Sequence, residues 1–278
     1  MKLRKGRHTI EKLVILSLLY VGELTVTGCG NNPTSPPAES TQPRYTPVYK
    51  VTFPTVDGLM IMASWSIPPN VQGRVPVVIL IHHFQNNNHL YDDRTQWFGI
   101  FDEFLSQGYG VLAIDLRGHG ESLFGISPRN MTTQDLESMI FDVAAAVSWL
   151  KHRSDIDPSR IAVVGGNIGA NIAYVSSGVF REVRTAIALS PLITNPPTLI
   201  GENIPRFAPH SILFMASSSD DRAIDAVNRL SQSTTAPKRV EVLEDSTSDT
   251  SIDDWGMGLI NFHADARKIV FDWLRDTL

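Results

Sequence analysis

The residues able to do chemistry in this 278-residue chain fall at a few turns between apolar runs. Val163-Val164-Gly165-Gly166-Asn167-Ile168-Gly169-Ala170 places a carboxamide inside a glycine-rich turn. Asn167 has no ionisable or usefully nucleophilic oxygen, so the turn can hydrogen-bond but cannot form an ordinary acyl-enzyme. Leu213-Phe214-Met215-Ala216-Ser217-Ser218-Ser219 runs into two carboxylates, Asp220 and Asp221, which could serve a site or complete a turn. His82 and His83 are adjacent, and neighbours on a strand point to opposite faces, which argues against a shared metal. His119 and Ser122 are expected to fix the turn after Asp115 rather than react. The polar stretch Asn86, Asn87, Asn88, His89 could touch a ligand or face solvent. Eight His but one Cys, Cys29, leave no thiolate metal cluster and no intrachain disulfide. No metal and no cofactor is expected.

The elements that must carry these turns alternate along the chain. Val48–Phe53 and Leu59–Ser66 read as strands around Val56-Asp57-Gly58. Val75–His82 and Gly110–Leu116 are almost continuously apolar, as strands buried on both faces are. Further strands are expected at Arg160–Gly165, Thr185–Ser190, Ser211–Ala216 and Arg239–Leu243. Helices are expected at Trp97–Ser106, Thr132–Arg153, Ile168–Ser176, Arg222–Ser231 and Leu259–Leu278. The clearest is Thr132–Arg153, where Leu136, Met139, Ile140, Val143, Val147 and Leu150 keep the 3.6-residue period. Such alternation predicts an α/β domain, with a mostly parallel central sheet and helices on both faces. Chemistry then belongs at the carboxyl ends of the strands. Ser190-Pro191 ends a strand without the glycine setting of the Asn167 turn.

Three of these strand ends, Val77–Phe84, Ala113–Ser122 and Val163–Ala170, resemble in order and spacing the α/β-hydrolase family. The Asp115-Leu116-Arg117-Gly118-His119-Gly120-Glu121-Ser122 stretch resembles its esterase, dienelactone-hydrolase and serine-aminopeptidase-like groups. The resemblance spans nearly all of residues 47–278 and implies the α/β-hydrolase fold without a large cap domain. It implies a nucleophile elbow of the form Gly-x-Ser-x-Gly, with Asn167 at the nucleophile position. Asp220, with Asp221 second, takes the acid position, and Trp255 of Asp254-Trp255-Gly256 stands where the family has its His. An indole has no basic nitrogen and cannot act as a general base. His263, eight residues on, is expected to lie on the closing helix. An oxyanion hole would be built from the backbone N–H of Ile168 and that of a residue in the His83-Phe84 turn. Two triad positions thus carry groups incapable of the role, which points to a pseudo-hydrolase that binds a small carbonyl or carboxylate. The alternative is an active hydrolase of esters or amides with a non-standard nucleophile and base, for instance after deamidation of Asn167, although the bulky Ile168 should slow that reaction.

The N-terminus reads as an address. Lys2, Arg4, Lys5 and Arg7 precede a short apolar run, Leu13–Val21, as in a secretory signal. Val26-Thr27-Gly28-Cys29 resembles the lipobox of bacterial lipoproteins, which implies cleavage before Cys29 and its acylation. That gives a signal peptide over 1–28, a lipidated Cys and tether over 29–45 rich in Pro and Asn, and a hydrolase-like domain over 46–278. The partner is then a membrane, reached through the lipid anchor at the exported face, with the outer membrane or cell surface favoured. With a formal net charge of −5 and no basic stripe, nothing points to nucleic acid.

Overall fold

The computed structural model describes residues 46–84, 92–123, 125–126, 130–193, 207, 209–244 and 255–278. Eight strands form one sheet in the order β1-β2-β4-β3-β5-β6-β7-β8. They are β1 Tyr49–Pro54, β2 Met60–Ser66, β3 Val75–Ile81, β4 Gly110–Ile114, β5 Ile156–Gly166, β6 Val183–Leu189, β7 Ile212–Ser217 and β8 Lys238–Leu243. β2 runs antiparallel to both of its neighbours, β1 and β4, and every other pairing is parallel. The α/β reading of the sequence therefore holds.

The helices are α1 Phe98–Ser106, α2 Thr133–Ser138, α3 Ile140–Lys151, α4 Ile168–Val179, α5 Asp221–Ser233, α6 Met257–Phe262 and α7 Ala264–Thr277. They divide between the two faces of the sheet. Val77, Ile79 and Ile81 of β3 pack with α3, α4 and α5, while Val78 and Leu80 pack with α1, α6 and α7. Burying both faces is why the central strands are apolar without alternation.

Two expected helices are each divided. Thr132–Arg153 is broken at Met139 into α2 and α3. α2 starts in a capping box, in which the Thr132 hydroxyl accepts from Asp135 N–H and the Asp135 carboxylate accepts from Thr132 N–H. The apolar period continues across the break, so hydrophobic spacing alone could not reveal it. The closing helix is broken at His263, whose extended backbone (φ −103°, ψ 114°) ends α6 and starts α7. His263 is thus a hinge residue rather than part of a continuous helix.

Candidate functional site

Strand β5 delivers its carboxyl end to a tight turn that only small residues can form. A Cβ on Gly165 would lie 2.1 Å from the Gly169 carbonyl oxygen, and one on Gly169 would lie 2.7 Å from that of Ile81. These contacts pull α4 against the ends of β5 and β3. Asn167 sits between them at φ 57°, ψ −115°, outside the ordinary regions for a side-chain-bearing residue. Such strain persists only where the surroundings enforce it.

The Asn167 side chain turns back on its own helix. Its Oδ1 accepts the N–H of Ile168 at 2.9 Å. Ile168 is one of the expected oxyanion donors, and its N–H is taken up by Asn167 itself. At the start of α4, Asn171 fixes the chain beyond β6 with a paired contact: its Oδ1 accepts Leu192 N–H at 3.0 Å and its Nδ2 donates to Leu192 C=O at 2.7 Å.

A second sharp turn faces the first. Gly256 has φ 54°, ψ −118°, nearly the backbone of Asn167, and it opens α6. A Cβ on Gly256 would stand 3.7 Å from Asn167 N, and one on Gly166 would meet Met257 N at 2.9 Å. The end of β6 links the two turns: Leu189 C=O accepts Asn167 N–H at 2.9 Å, and Ser190, just past the strand, reaches the Gly256 turn. Its Oγ accepts the N–H of Gly256 at 2.9 Å. It adopts φ 47° and is buried. Nothing in the sequence around Ser190 marks it out, yet it joins the end of β6 to the turn carrying Trp255. Trp255 itself is 40% exposed.

The remaining predicted residues divide between structural and open roles. The Asp220 carboxylate accepts Ala223 N–H at 3.0 Å and caps α5, and Asp221 is the first residue of that helix. His82 is fully buried: its Nδ1 donates to His83 C=O at 2.8 Å and its Nε2 accepts Leu116 N–H at 3.1 Å. Burial, followed by the neighbouring His119, pushes its pKa down to about 3, so it is a neutral peg. His119 donates through Nδ1 to Arg117 C=O, and burial lowers its pKa as well.

His83 lies two residues past the end of β3 and is only partly buried, unlike His82. Its Nε2 lies 3.2 Å from Asp92 Oδ1, and Gln96 Nε2 donates to the same oxygen at 2.8 Å. β3 pairs with β5 through Ile81 opposite Gly165, so His83 follows β3 two residues past the last pair and Asn167 follows β5 two residues past it. The sequence reading weighed the His83 side chain only as a metal ligand, set that aside, and otherwise used the backbone of His83 and Phe84. It missed the His83–Asp92 pair because the partners come from separate elements.

The Asp115–Ser122 stretch is a scaffold. The Asp115 carboxylate takes Arg94 N–H and Glu121 N–H, each at 2.8 Å, and also pairs with the Arg94 guanidinium. Arg117 bridges Asp142 and Asp57, and burial pushes the Asp142 carboxyl up to about 6. Ser122 Oγ accepts Met62 N–H at 2.9 Å. Among the described residues no group of three or more His, Cys, Asp or Glu is placed to hold a metal, and no helix is long and apolar enough to cross a membrane. Cys29, the 1–28 signal, the 29–45 tether and the Asn86–His89 loop lie outside the described residues.

A family model described as "Serine aminopeptidase, S33" matches residues 76–252, more than half of the chain and including both the Asp115 turn and the Asn167 elbow. The chain belongs to this family. Its curated relatives include the polyketide transferase ATR5 of Stachybotrys chlorohalonatus, 29% identical over 51% of this chain and 43% of that protein. An uncharacterized protein, Rv2307c, of Mycobacterium tuberculosis is 32% identical over 51% of this chain and 44% of its own length. The chain thus spans about half the length of the curated relatives it matches.

Solved structures give the fold. A dienelactone hydrolase from Anabaena variabilis superposes with a TM-score of 0.63 at 15% identity, covering 84% of this chain and 99% of that one. The Pyrococcus furiosus esterase Pf2001 superposes at 0.59 and 18% identity, covering 84% and 93%.

Proposed function

We propose that this hydrolase-fold chain is a membrane-anchored lipoprotein whose site binds a small carbonyl or carboxylate group instead of cleaving it through an acyl-enzyme. The observation that carries the reading is the Asn167 carboxamide, held in the elbow backbone with its own oxygen on Ile168 N–H. That oxygen stands in for the ligand's: a bound carbonyl would displace it and take the same donor. Trp255, at the family's His position, supplies no base. Losing triad members costs about 10⁴-fold or more in rate.

Hydrolysis of p-nitrophenyl acetate and of an aminoacyl arylamide tests this directly. The purified protein is expected to stay at the background rate, and Asn167→Ser with Trp255→His to raise ester cleavage above it. Turnover by the unaltered protein at enzyme-like rates refutes binding without catalysis. The lipid anchor has its own test: label from an alkynyl fatty acid is expected on the full chain in a bacterial host and to be absent from Cys29→Ser.

A second reading, active hydrolysis of esters or amides with a non-standard base, draws on the His83–Asp92 pair at the end of β3. Hydrolysis by the unaltered protein that disappears in His83→Gln would favour it.

A further inference from the structure

We propose that Asn167 is a self-modifying residue: folding places it to cyclise with the backbone nitrogen of Ile168, lose ammonia and become aspartate. Asparagine deamidates when the next residue's nitrogen attacks the side-chain Cγ to close a five-membered imide. Tetrahedral geometry at Cα brings Cβ into line with that nitrogen only when ψ is about −120°. Most asparagines in folded proteins are far from this value and are protected by it. Asn167 has ψ −115°, imposed by the elbow, with φ 57°.

Three further features of the turn favour the step. The Asn167 Oδ1 lies 2.9 Å from Ile168 N, so the carboxamide is already folded over the attacking atom. Ile168 is the first residue of α4, so its N–H is held by that side-chain oxygen and not by a backbone carbonyl of a preceding turn. Asn167 and Ile168 are both part-exposed, so water can reach the imide. The branched Ile168 side chain slows the same reaction in a flexible peptide by hindering approach. In the elbow the backbone torsion and the Oδ1 contact hold the carboxamide beside that nitrogen, so less of the approach is left to chance.

The chemistry balances with water alone. Ile168 N loses its proton and bonds to Asn167 Cγ. The Cγ–Nδ2 bond breaks, and Nδ2 leaves as ammonia carrying that proton. Water then opens the imide to aspartate or to its β-linked isomer. The product puts a carboxylate at the start of α4, where the helix dipole favours negative charge. It also adds a negative charge where the neutral amide could host an anionic ligand. The inference goes beyond the binding reading, which describes the chain before conversion, and its readout is mass and not turnover.

The test is peptide mapping by mass spectrometry after incubating the full chain in ¹⁸O-water, folded and in urea, at one pH and temperature. Residue 167 is expected to gain the isotope label at least about tenfold faster in the folded protein than in urea. Asn70, in the β2–β3 connection, serves as an internal control expected to show no such folding-dependent acceleration. Equal or slower labelling of residue 167 in the folded state overturns the proposal. A second variant, Asn167→Gln, keeps a carboxamide but requires a larger ring, and its labelling is expected to fall to background. Persistent labelling in that variant also counts against the mechanism.

Discussion

The Ser190 hydroxyl oxygen lies 2.9 Å from the backbone nitrogen of Gly256, and this one contact joins the end of β6 to the turn that carries Trp255. Ser190 holds it from a left-handed backbone, φ 47°, which costs a non-glycine residue about 1 kcal/mol. The two contributions can be separated. Ser190→Gly relieves the backbone strain but loses the hydroxyl, whereas Ser190→Ala keeps the strain and loses the hydroxyl. Ser190→Ala is expected to lower stability by about 1–2 kcal/mol in urea titration, with Ser190→Gly less affected. Both are expected to change the intrinsic fluorescence contributed by Trp255. Equal stabilities for the two variants would show that the backbone strain is absent.

The elbow glycines make a sharper prediction. The atom nearest to a Cβ on Gly165 is a backbone oxygen at 2.1 Å, which no rotamer change can move aside. Gly165→Ala is expected to cost about 3 kcal/mol or more and to reduce soluble yield, measured by thermal unfolding. Gly58→Ala meets no atom within 4 Å, although its φ of 87° adds strain, so it should be the milder change. Comparable losses would argue that the packing at the elbow is looser than described.

These glycines show what a sequence exposes and what it hides. The spacing Gly165-Gly166-Asn167-Ile168-Gly169 was readable because a tight strand-to-helix turn demands small residues at fixed offsets. The strands were readable because burial on two faces removes polar residues from β3, β4 and the Ile161–Gly166 half of β5. The break at Met139 was not readable, because α2 and α3 bury the same apolar stripe. Nor was the turn-back of Asn167 onto Ile168, since it is a choice of rotamer rather than of residue. The Ser190–Gly256 and His83–Asp92 contacts join distant segments, and one sequence carries no signal for which distant polar residues meet.

Acid should weaken the fold through its buried imidazoles. His82 in the folded state titrates at about 3, against 6.5 when unfolded. Between those values the unfolded chain binds more protons, so this group's stabilisation is intact above pH 6.5 and is lost as pH falls toward 3. The slope is about 1.4 kcal/mol per pH unit. His119 is lowered by burial and acts in the same sense. Asp142, raised to about 6, acts oppositely between its unfolded value of 3.8 and 6. Comparing the protein with His82→Gln isolates the first effect. Urea midpoints from pH 4 to 7 are expected to fall more steeply toward acid in the unaltered chain. Parallel curves would mean that His82 is accessible to protons in the folded state.

Asp220 tests whether the acid position keeps a catalytic inheritance beneath its structural duty. Its carboxylate caps α5 through Ala223 N–H. Asparagine caps helices about as well, so Asp220→Asn is expected to change stability by only a few tenths of a kcal/mol, while Asp220→Ala loses about 1 kcal/mol. In the unaltered protein Asp220→Asn should therefore be silent. In the Asn167→Ser, Trp255→His background the expectation differs, because a new imidazole there needs an anionic partner to fix its tautomer and stabilise its charged form. There Asp220→Asn is expected to lower ester cleavage at least tenfold, with the urea midpoint unchanged. The neutral cap would survive while the charge needed by the imidazole is lost. An unchanged rate would place the acid function elsewhere and leave Asp220 as a helix cap.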